Sequence, residues 1–125
     1  MGMCCPKRCG LLGICLDSEA LAGLILRMQN YDRVLVHCFA GIGRTATFVM
    51  GAECARIALA GQELNLEEIG MALRKARAGA VQNNKQFLYS AYLCLLTLRQ
   101  KCQPLEEEQD EAIAQFARRL MVINN

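Results

Sequence analysis

Helical spacing dominates the hydrophobic pattern of this chain, broken by one short extended run. Leu21, Leu24, Ile25 and Met28 recur at helical spacing behind an Asp17-Ser18 start signal and stop at Asn30, so residues 17–29 are expected to form an amphipathic helix. Val34-Leu35-Val36-His37 is short and β-branched, lies between Tyr31-Asp32-Arg33 and a glycine-bearing turn, and reads as the one clear strand. From Arg44 a long apolar helix carries Thr45, Phe48, Val49, Ala52 and Ala55 to about residue 60, where Gly61 stops it. Asn65 caps a helix over residues 66–78 with Glu67 and Glu68 in its first turn, where the helix dipole favours acids, and Gly79 ends it. Asn83 or Asn84 opens the next helix, which carries Phe87, Leu88, Ala91, Leu95 and Leu98 to residue 102 before Pro104 breaks it. Residues 105–122 are acidic first and basic later, which suits a solvated terminal helix. Residues 1–13 mix Cys, Pro, Lys, Arg and Gly without periodicity and read as loop, or as sequence cut from something larger. One strand cannot make a sheet, so this order is either a helical domain with an odd extended segment or a piece of an α/β domain; the second fits better.

Length and composition narrow the picture. The 125 residues, 54% of them apolar, suit one small domain with a packed core. A net charge of +2 is far from that of a dedicated nucleic-acid binder, and no nucleic-acid partner is expected. Eight cysteines in a short chain suggest a disulfide scaffold, but residues 1–9 lack the apolar segment of a signal peptide. Reduced thiols in the cytoplasm are the better reading. Cys4, Cys5, Cys9 and Cys15 form no paired Cys-x-x-Cys knuckle and have no histidine nearby, which favours free thiols over zinc, and no metal is expected. Cys4 and Cys5 also make a weak acylation site, because Pro6 stands where a myristoylation pattern needs Ser or Thr. No apolar run approaches the roughly 20 residues that span a bilayer, so no membrane segment is expected.

The chemistry concentrates between the strand and the helix that follows it, in His37-Cys38-Phe39-Ala40-Gly41-Ile42-Gly43-Arg44-Thr45. A strand that turns into a helix through two glycines leaves successive backbone N–H groups pointing into one concavity, with the positive end of the helix dipole behind it. Such a nest binds an oxyanion. Cys38 stands at its first position, where amides and dipole favour thiolate over thiol. Arg44 closes the loop with a planar fork that holds two phosphate oxygens at once. Thr45 supplies a hydroxyl within reach of the sulfur, able to stabilise it as a leaving thiolate. His37 does not fit a thiol-protease pair, since adjacent strand residues point to opposite faces. It orients the loop through hydrogen bonds or is merely structural.

His-Cys-x-x-Gly-x-x-Arg-Thr resembles the signature of the cysteine-dependent protein tyrosine phosphatases, and the run from Val36 to Phe48 is similar to their phosphotyrosine-specific branch. A second block, from Arg74 to Phe87, resembles that family's late segment, in which two arginines precede a glutamine-bearing loop. The resemblance covers roughly residues 5–96. It implies that the backbones of Phe39, Ala40, Gly41, Ile42 and Gly43, together with Arg44, bind the phosphate. It also implies that Gln86 and Gln82 position the water that hydrolyses a phosphocysteine, without any cofactor. Arg74 and Arg77 belong either to a solvated helix face or to the support of the pocket.

The sequence departs from the family's pattern at three places. Phe39 stands where Ser is usual, and Ala46 where Gly is usual. The family's general acid comes from a Trp-Pro-Asp loop some 35 residues before the nucleophile; this chain has no Trp, and no acid precedes Asp17. The expected organisation is therefore a partial tyrosine-phosphatase domain over residues 1–102, lacking the N-terminal half and the acid loop, with a helical tail over residues 103–125.

Other readings explain less. An ordinary buried Cys38 leaves the glycines and arginine at fixed offsets without purpose. Gly41-x-Gly43-x-x-Ala46 after a strand matches a dinucleotide fingerprint, but no second parallel strand or ribose-binding acid at a strand end follows. A dual-specificity or lipid phosphatase is opposed by the Gln82–Gln86 block. The expected function is dephosphorylation of a phosphotyrosine protein or peptide by Cys38, weak without a general acid; the alternative is an inert phosphatase-like phosphotyrosine-binding module or a gene fragment. In such a fragment one face of the strand is uncovered, so self-association is expected.

Overall fold

The computed structural model describes residues 2–4, 17–37 and 43–123. Two short strands, β1 (Gly2–Cys4) and β2 (Leu35–His37), pair in parallel, with Gly2 opposite Leu35, Met3 opposite Val36 and Cys4 opposite His37. Helix α1 (Ser18–Met28) lies in the connection between them, as a parallel pair requires a crossover. Residues 2–4 thus form a strand where loop was expected, while residues 5–13 lie outside the described residues; β2 is the strand expected over 34–37, begun one residue later. Gly, Met and Cys carry no alternation of their own, and β1 is a strand because β2 offers it a ladder of backbone partners.

Four helices follow β2: α2 (Arg44–Leu59), α3 (Leu66–Ala76), α4 (Asn84–Lys101) and α5 (Glu107–Met121). Their starts are set locally. Asp17 accepts the Ala20 N–H at 3.3 Å, Asn65 the Glu68 N–H at 3.2 Å and Asn83 the Gln86 N–H at 2.8 Å, each satisfying a donor that the first turn leaves open. Helix α3 stops two residues before the expected 78, because Arg77 takes an extended conformation ahead of Gly79 at φ +78°.

Helix α4 is the centre of the packing: α2, α1 and α5 all lie against it, while α3 and β2 pack on α2. Ile25, Met50, Leu93 and Leu96 are fully buried there, each contributing about 1.5–3 kcal/mol. Where α2 meets α4, a Cβ on Gly51 would lie 3.0 Å from Leu93 Cβ and 3.2 Å from the Ser90 carbonyl oxygen. Glycine thus sets how closely the two helices approach. The start of α1 is held to α4 by a 2.8 Å hydrogen bond between the Ser18 and Tyr89 hydroxyls and by Glu19, which pairs with Arg99 and accepts from Gln100.

Helix α5 is not simply a solvated tail. Ile113 and Leu120 are buried, and Phe116 stacks on Tyr92 of α4 with ring centroids 6.2 Å apart. Its inner face recurs at helical spacing and therefore docks, while the acids of its first turn stay exposed. The architecture is that of a mostly helical piece of an α/β domain, and none of the described helices is long and apolar enough to cross a membrane.

Candidate functional site

The start of α2 faces the loop that precedes α4, and this junction brings Gly43, Arg44 and Thr45 beside Gln82 and Gln86. Cys38, Phe39, Ala40, Gly41 and Ile42 lie outside the described residues; Gly43, Arg44 and Thr45 are the first described positions after them. Gly43 is the N-cap of α2, and its carbonyl oxygen accepts both the Thr47 N–H at 2.9 Å and the Thr47 hydroxyl at 2.8 Å. Thr47 thereby fixes the first turn that carries Arg44 and Thr45. Nothing in the sequence pattern marks that threonine, since its role depends on a backbone carbonyl four residues earlier.

Arg44 is the first residue of α2 and partly exposed, and no described carboxylate forms an ion pair with it. The Thr45 hydroxyl oxygen is shut off from solvent and has no hydrogen-bond partner among the described residues. A buried hydroxyl without a partner is costly, by about 1–3 kcal/mol, so an enclosed one calls for a ligand or a neighbouring group. His37 is exposed at the end of β2, opposite Cys4 in the ladder.

The second block arrives from the other side. Gln86, in the first turn of α4, is 2% exposed, and its Oε1 accepts the Gln82 backbone N–H at 2.8 Å. Both glutamine side chains lie against Gly43: a Cβ there would collide with Gln82 Oε1 and stand 3.1 Å from Gln86 Nε2. Glycine at 43 is therefore favoured by space, since a Cβ displaces the end of the Gln82 side chain, while its φ of −90° is open to any residue. The structure thus brings Gly43, Gln82 and Gln86 into contact beside Arg44 and Thr45.

Arg74 resolves one choice left open by the sequence. Its Nε donates to the Ala80 carbonyl at 3.1 Å and its terminal guanidinium nitrogen to the Val81 carbonyl at 3.0 Å, so it supports the glutamine loop from α3. The planar fork reaches two successive carbonyls at once, which an ammonium on a flexible stem does not reproduce. Val81 needs that support. It is a buried β-branched residue at φ +59°, a region that costs on the order of 1–3 kcal/mol unless its surroundings hold it. Arg77 is the exposed C-cap of α3.

The sequence model described as protein-tyrosine phosphatase matches residues 14–97. Tyrosine-protein phosphatase non-receptor type 2 of Rattus norvegicus is 34% identical over 67 residues, and its Homo sapiens and Mus musculus counterparts are each 32% identical over the same length. These alignments cover 54% of this chain and 16% of each relative, so the chain matches only about a sixth of the length of those proteins. No solved structure matches it. With the signature loop between β2 and α2 and a glutamine loop packed against its last glycine, the chain belongs to the protein-tyrosine phosphatase family.

Proposed function

We infer that the chain dephosphorylates phosphotyrosine through a phosphocysteine. The Cys38 thiolate attacks phosphorus, the S–P bond forms as the bond to the tyrosyl oxygen breaks, and the phenolate takes its proton from water. The amides of residues 39–43 and the Arg44 guanidinium hold the equatorial oxygens. Water positioned by Gln86 and Gln82 then attacks phosphorus, releasing inorganic phosphate and returning the thiolate, with the enclosed Thr45 hydroxyl stabilising the departing sulfur. The observation that carries this reading is the contact of both glutamines with Gly43, one residue before Arg44. A core-packing role alone gives no reason for the 2% exposed Gln86 to hold the backbone of the preceding Gln82 there.

The expectation of weak turnover rests on the lack of a Trp-Pro-Asp counterpart within these 125 residues, since general acid–base catalysis contributes roughly 10²–10⁴-fold. The same feature favours a second reading, a phosphotyrosine-binding module that holds its ligand without productive catalysis. The chain's setting is cytoplasmic, in keeping with the free thiols Cys54, Cys94 and Cys102 and with relatives named as non-receptor phosphatases.

Hydrolysis of an aryl phosphate with a good leaving group separates the two readings, since such a leaving group needs little protonation. Turnover that disappears in Cys38→Ser supports the enzyme. Hydrolysis that survives the substitution refutes the mechanism, and equal, negligible rates in two folded samples leave the binding module.

A further inference from the structure

Two buried threonines make the same local bond in different settings. The hydroxyl of each donates to the carbonyl four residues back, Thr97 to Leu93 at 2.7 Å and Thr47 to Gly43 at 2.8 Å. Inside a helix such a bond contributes little, because the turns on both sides already hold the acceptor carbonyl. Leu93 lies in the interior of α4 and fits that case. Gly43 does not. It is the N-cap of α2, at φ −90° and ψ −87°, outside the helical well, so α2 holds its peptide unit from one side only. Glycine also has the widest choice of backbone conformation, which leaves the peptide unit joining it to Arg44 weakly fixed by local geometry.

The orientation of that unit decides where the Arg44 N–H points. The bond is trans and planar, so the Gly43 carbonyl and the Arg44 N–H point in opposite directions. Two donors draw the carbonyl toward the body of α2, the Thr47 N–H at 2.9 Å and the Thr47 hydroxyl. The Arg44 N–H therefore points out of the open end of the helix, among the first-turn donors that a helix start leaves for an anion. Rotation of the plane about Gly43 swings this N–H away, and the hydroxyl bond from Thr47 resists that rotation. At 3% exposure the Thr47 hydroxyl has no water to take in place of the carbonyl. The Gln82 and Gln86 side chains lie against Gly43 from the other side, so this glycine is clamped between α2 and the glutamine loop.

We propose that Thr47 is a positioning residue for phosphate: its buried hydroxyl fixes the Gly43–Arg44 peptide unit so that the Arg44 N–H is aimed at the oxyanion. The assignment rests on the phosphatase reading given above and adds to it a side chain that acts through the backbone rather than by contact with phosphate.

The test uses the full chain with inorganic phosphate as the probe. Phosphate is added as a competitor of aryl-phosphate hydrolysis, and to isotope-labelled protein whose Arg44 amide is followed by NMR. In the wild type, phosphate should inhibit competitively and shift the Arg44 amide. Thr47→Val removes the hydroxyl and keeps the shape of the side chain; it should weaken phosphate inhibition about three- to tenfold and shrink the Arg44 response. Thr47→Ser should restore both. Thr97→Val deletes the equivalent bond inside α4 and, whatever it does to the urea midpoint, should leave phosphate inhibition unchanged. Unchanged inhibition in folded Thr47→Val, a Thr47→Ser variant that behaves like Val, or an equal loss in Thr97→Val overturns the positioning role and leaves the phosphatase reading intact. If Thr47→Val fails to fold, the wild type decides, because phosphate that inhibits hydrolysis without shifting the Arg44 amide also overturns the role. If hydrolysis is absent but the amide responds, the titrations of the same variants make the comparison. A folded chain that neither hydrolyses aryl phosphate nor responds to phosphate removes the phosphatase reading and this inference together.

Discussion

The Gln82 backbone N–H donates to the side-chain oxygen of Gln86 at 2.8 Å, and the two glutamines together close over Gly43. This link couples the start of α4 to the start of α2, the two helices that share the largest interface of the fold. A loop carrying the proposed water-positioning residues is thereby referenced to the helix that carries Arg44. Gly43→Ala tests the link, because the added methyl has no room unless Gln82 moves. The atom in the way is the end of a flexible side chain, so the cost is about 1 kcal/mol, the low end of overpacking. The expected outcome is a lower urea midpoint and, in burst kinetics with an aryl phosphate, a retained first turnover with slowed release of phosphate. An unchanged second step would detach Gln82 and Gln86 from the hydrolysis of the phosphocysteine.

Arg74→Ala removes both donors from the Ala80 and Val81 carbonyls. Arg74 is on an exposed stretch of α3, so water replaces part of what is lost, and the expected cost is about 1 kcal/mol. The sharper signature is local. Val81 at φ +59° relaxes once its anchor is gone, so hydrogen exchange of the amides of residues 79–82 should accelerate more than that of the α4 core. Arg74→Lys is expected to behave like Ala, since one ammonium cannot bridge two carbonyls in the geometry of the guanidinium. Exchange that speeds up uniformly along the chain would instead mean that Arg74 only adds global stability.

What the sequence alone made legible divides along the range of the interactions. The caps Asp17, Asn65 and Asn83 are satisfied within their own helices, and a reader of the sequence finds them without knowing the fold. The signature from His37 to Thr45 is equally local, because the phosphate nest it implies needs only two glycines and a following helix. Strand β1 was hidden because its order is borrowed from β2 across more than thirty positions of chain. The inner face of α5, Ile113, Phe116 and Leu120, was passed over for the charge order of its segment, and its partner Tyr92 lies on another helix. In the site, the crowding of Gly43 and the carbonyls held by Arg74 come from α3 and α4 folding back, and no spacing rule reports them.

Two helical glycines should respond to alanine in opposite directions. A Cβ on Gly51 meets Leu93 at 3.0 Å and the Ser90 backbone at 3.2 Å, and backbone cannot step aside. The overpacking cost of about 1–3 kcal/mol outweighs the gain in helix propensity of about 1 kcal/mol, so Gly51→Ala is expected to destabilise. On Gly23 the nearest atom is the Gln100 side-chain oxygen at 3.6 Å, an ordinary contact, and Gly23→Ala should stabilise by about 0.5–1 kcal/mol. Urea midpoints of the two variants, measured side by side, decide whether α2 and α4 approach as closely as this packing requires.

Leu35 is 68% exposed on β2, whose other face packs on the core through Val36. An uncovered apolar residue on a two-stranded sheet favours pairing between copies. The chain is therefore expected to self-associate as its concentration rises, and Leu35→Lys to shift it toward monomer in size-exclusion chromatography. A chain that is monomeric at high concentration without the substitution would remove the strand as an association surface.

Cys54 and Cys94 should make stability fall in alkali. Burial pushes the Cys54 thiol up to about 12, with the neighbouring Cys94 adding to the effect, and burial pushes Cys94 up to about 11. In an unfolded chain a cysteine ionises at roughly 8.5. Between those values the unfolded state loses protons that the folded state keeps, so the unfolded state is favoured as pH rises. The stability these thiols contribute is complete below about pH 8.5 and is lost progressively through pH 11 to 12. Tyr92, also raised mainly by burial, acts with the same sign, so the wild type alone does not isolate the cysteines. The comparison that does is urea unfolding at pH 7 and pH 10 for the wild type and for Cys54→Ala/Cys94→Ala. The double variant is weaker at pH 7 because it leaves cavities, but its further loss on going to pH 10 should be smaller. The same burial protects both thiols from alkylation in the folded protein while the exposed Cys102 reacts, and urea should abolish that difference. Equal alkaline losses in the two proteins, or ready alkylation of Cys54 and Cys94 without denaturant, would place the thiols at a surface that water reaches rather than in the seam between α2 and α4.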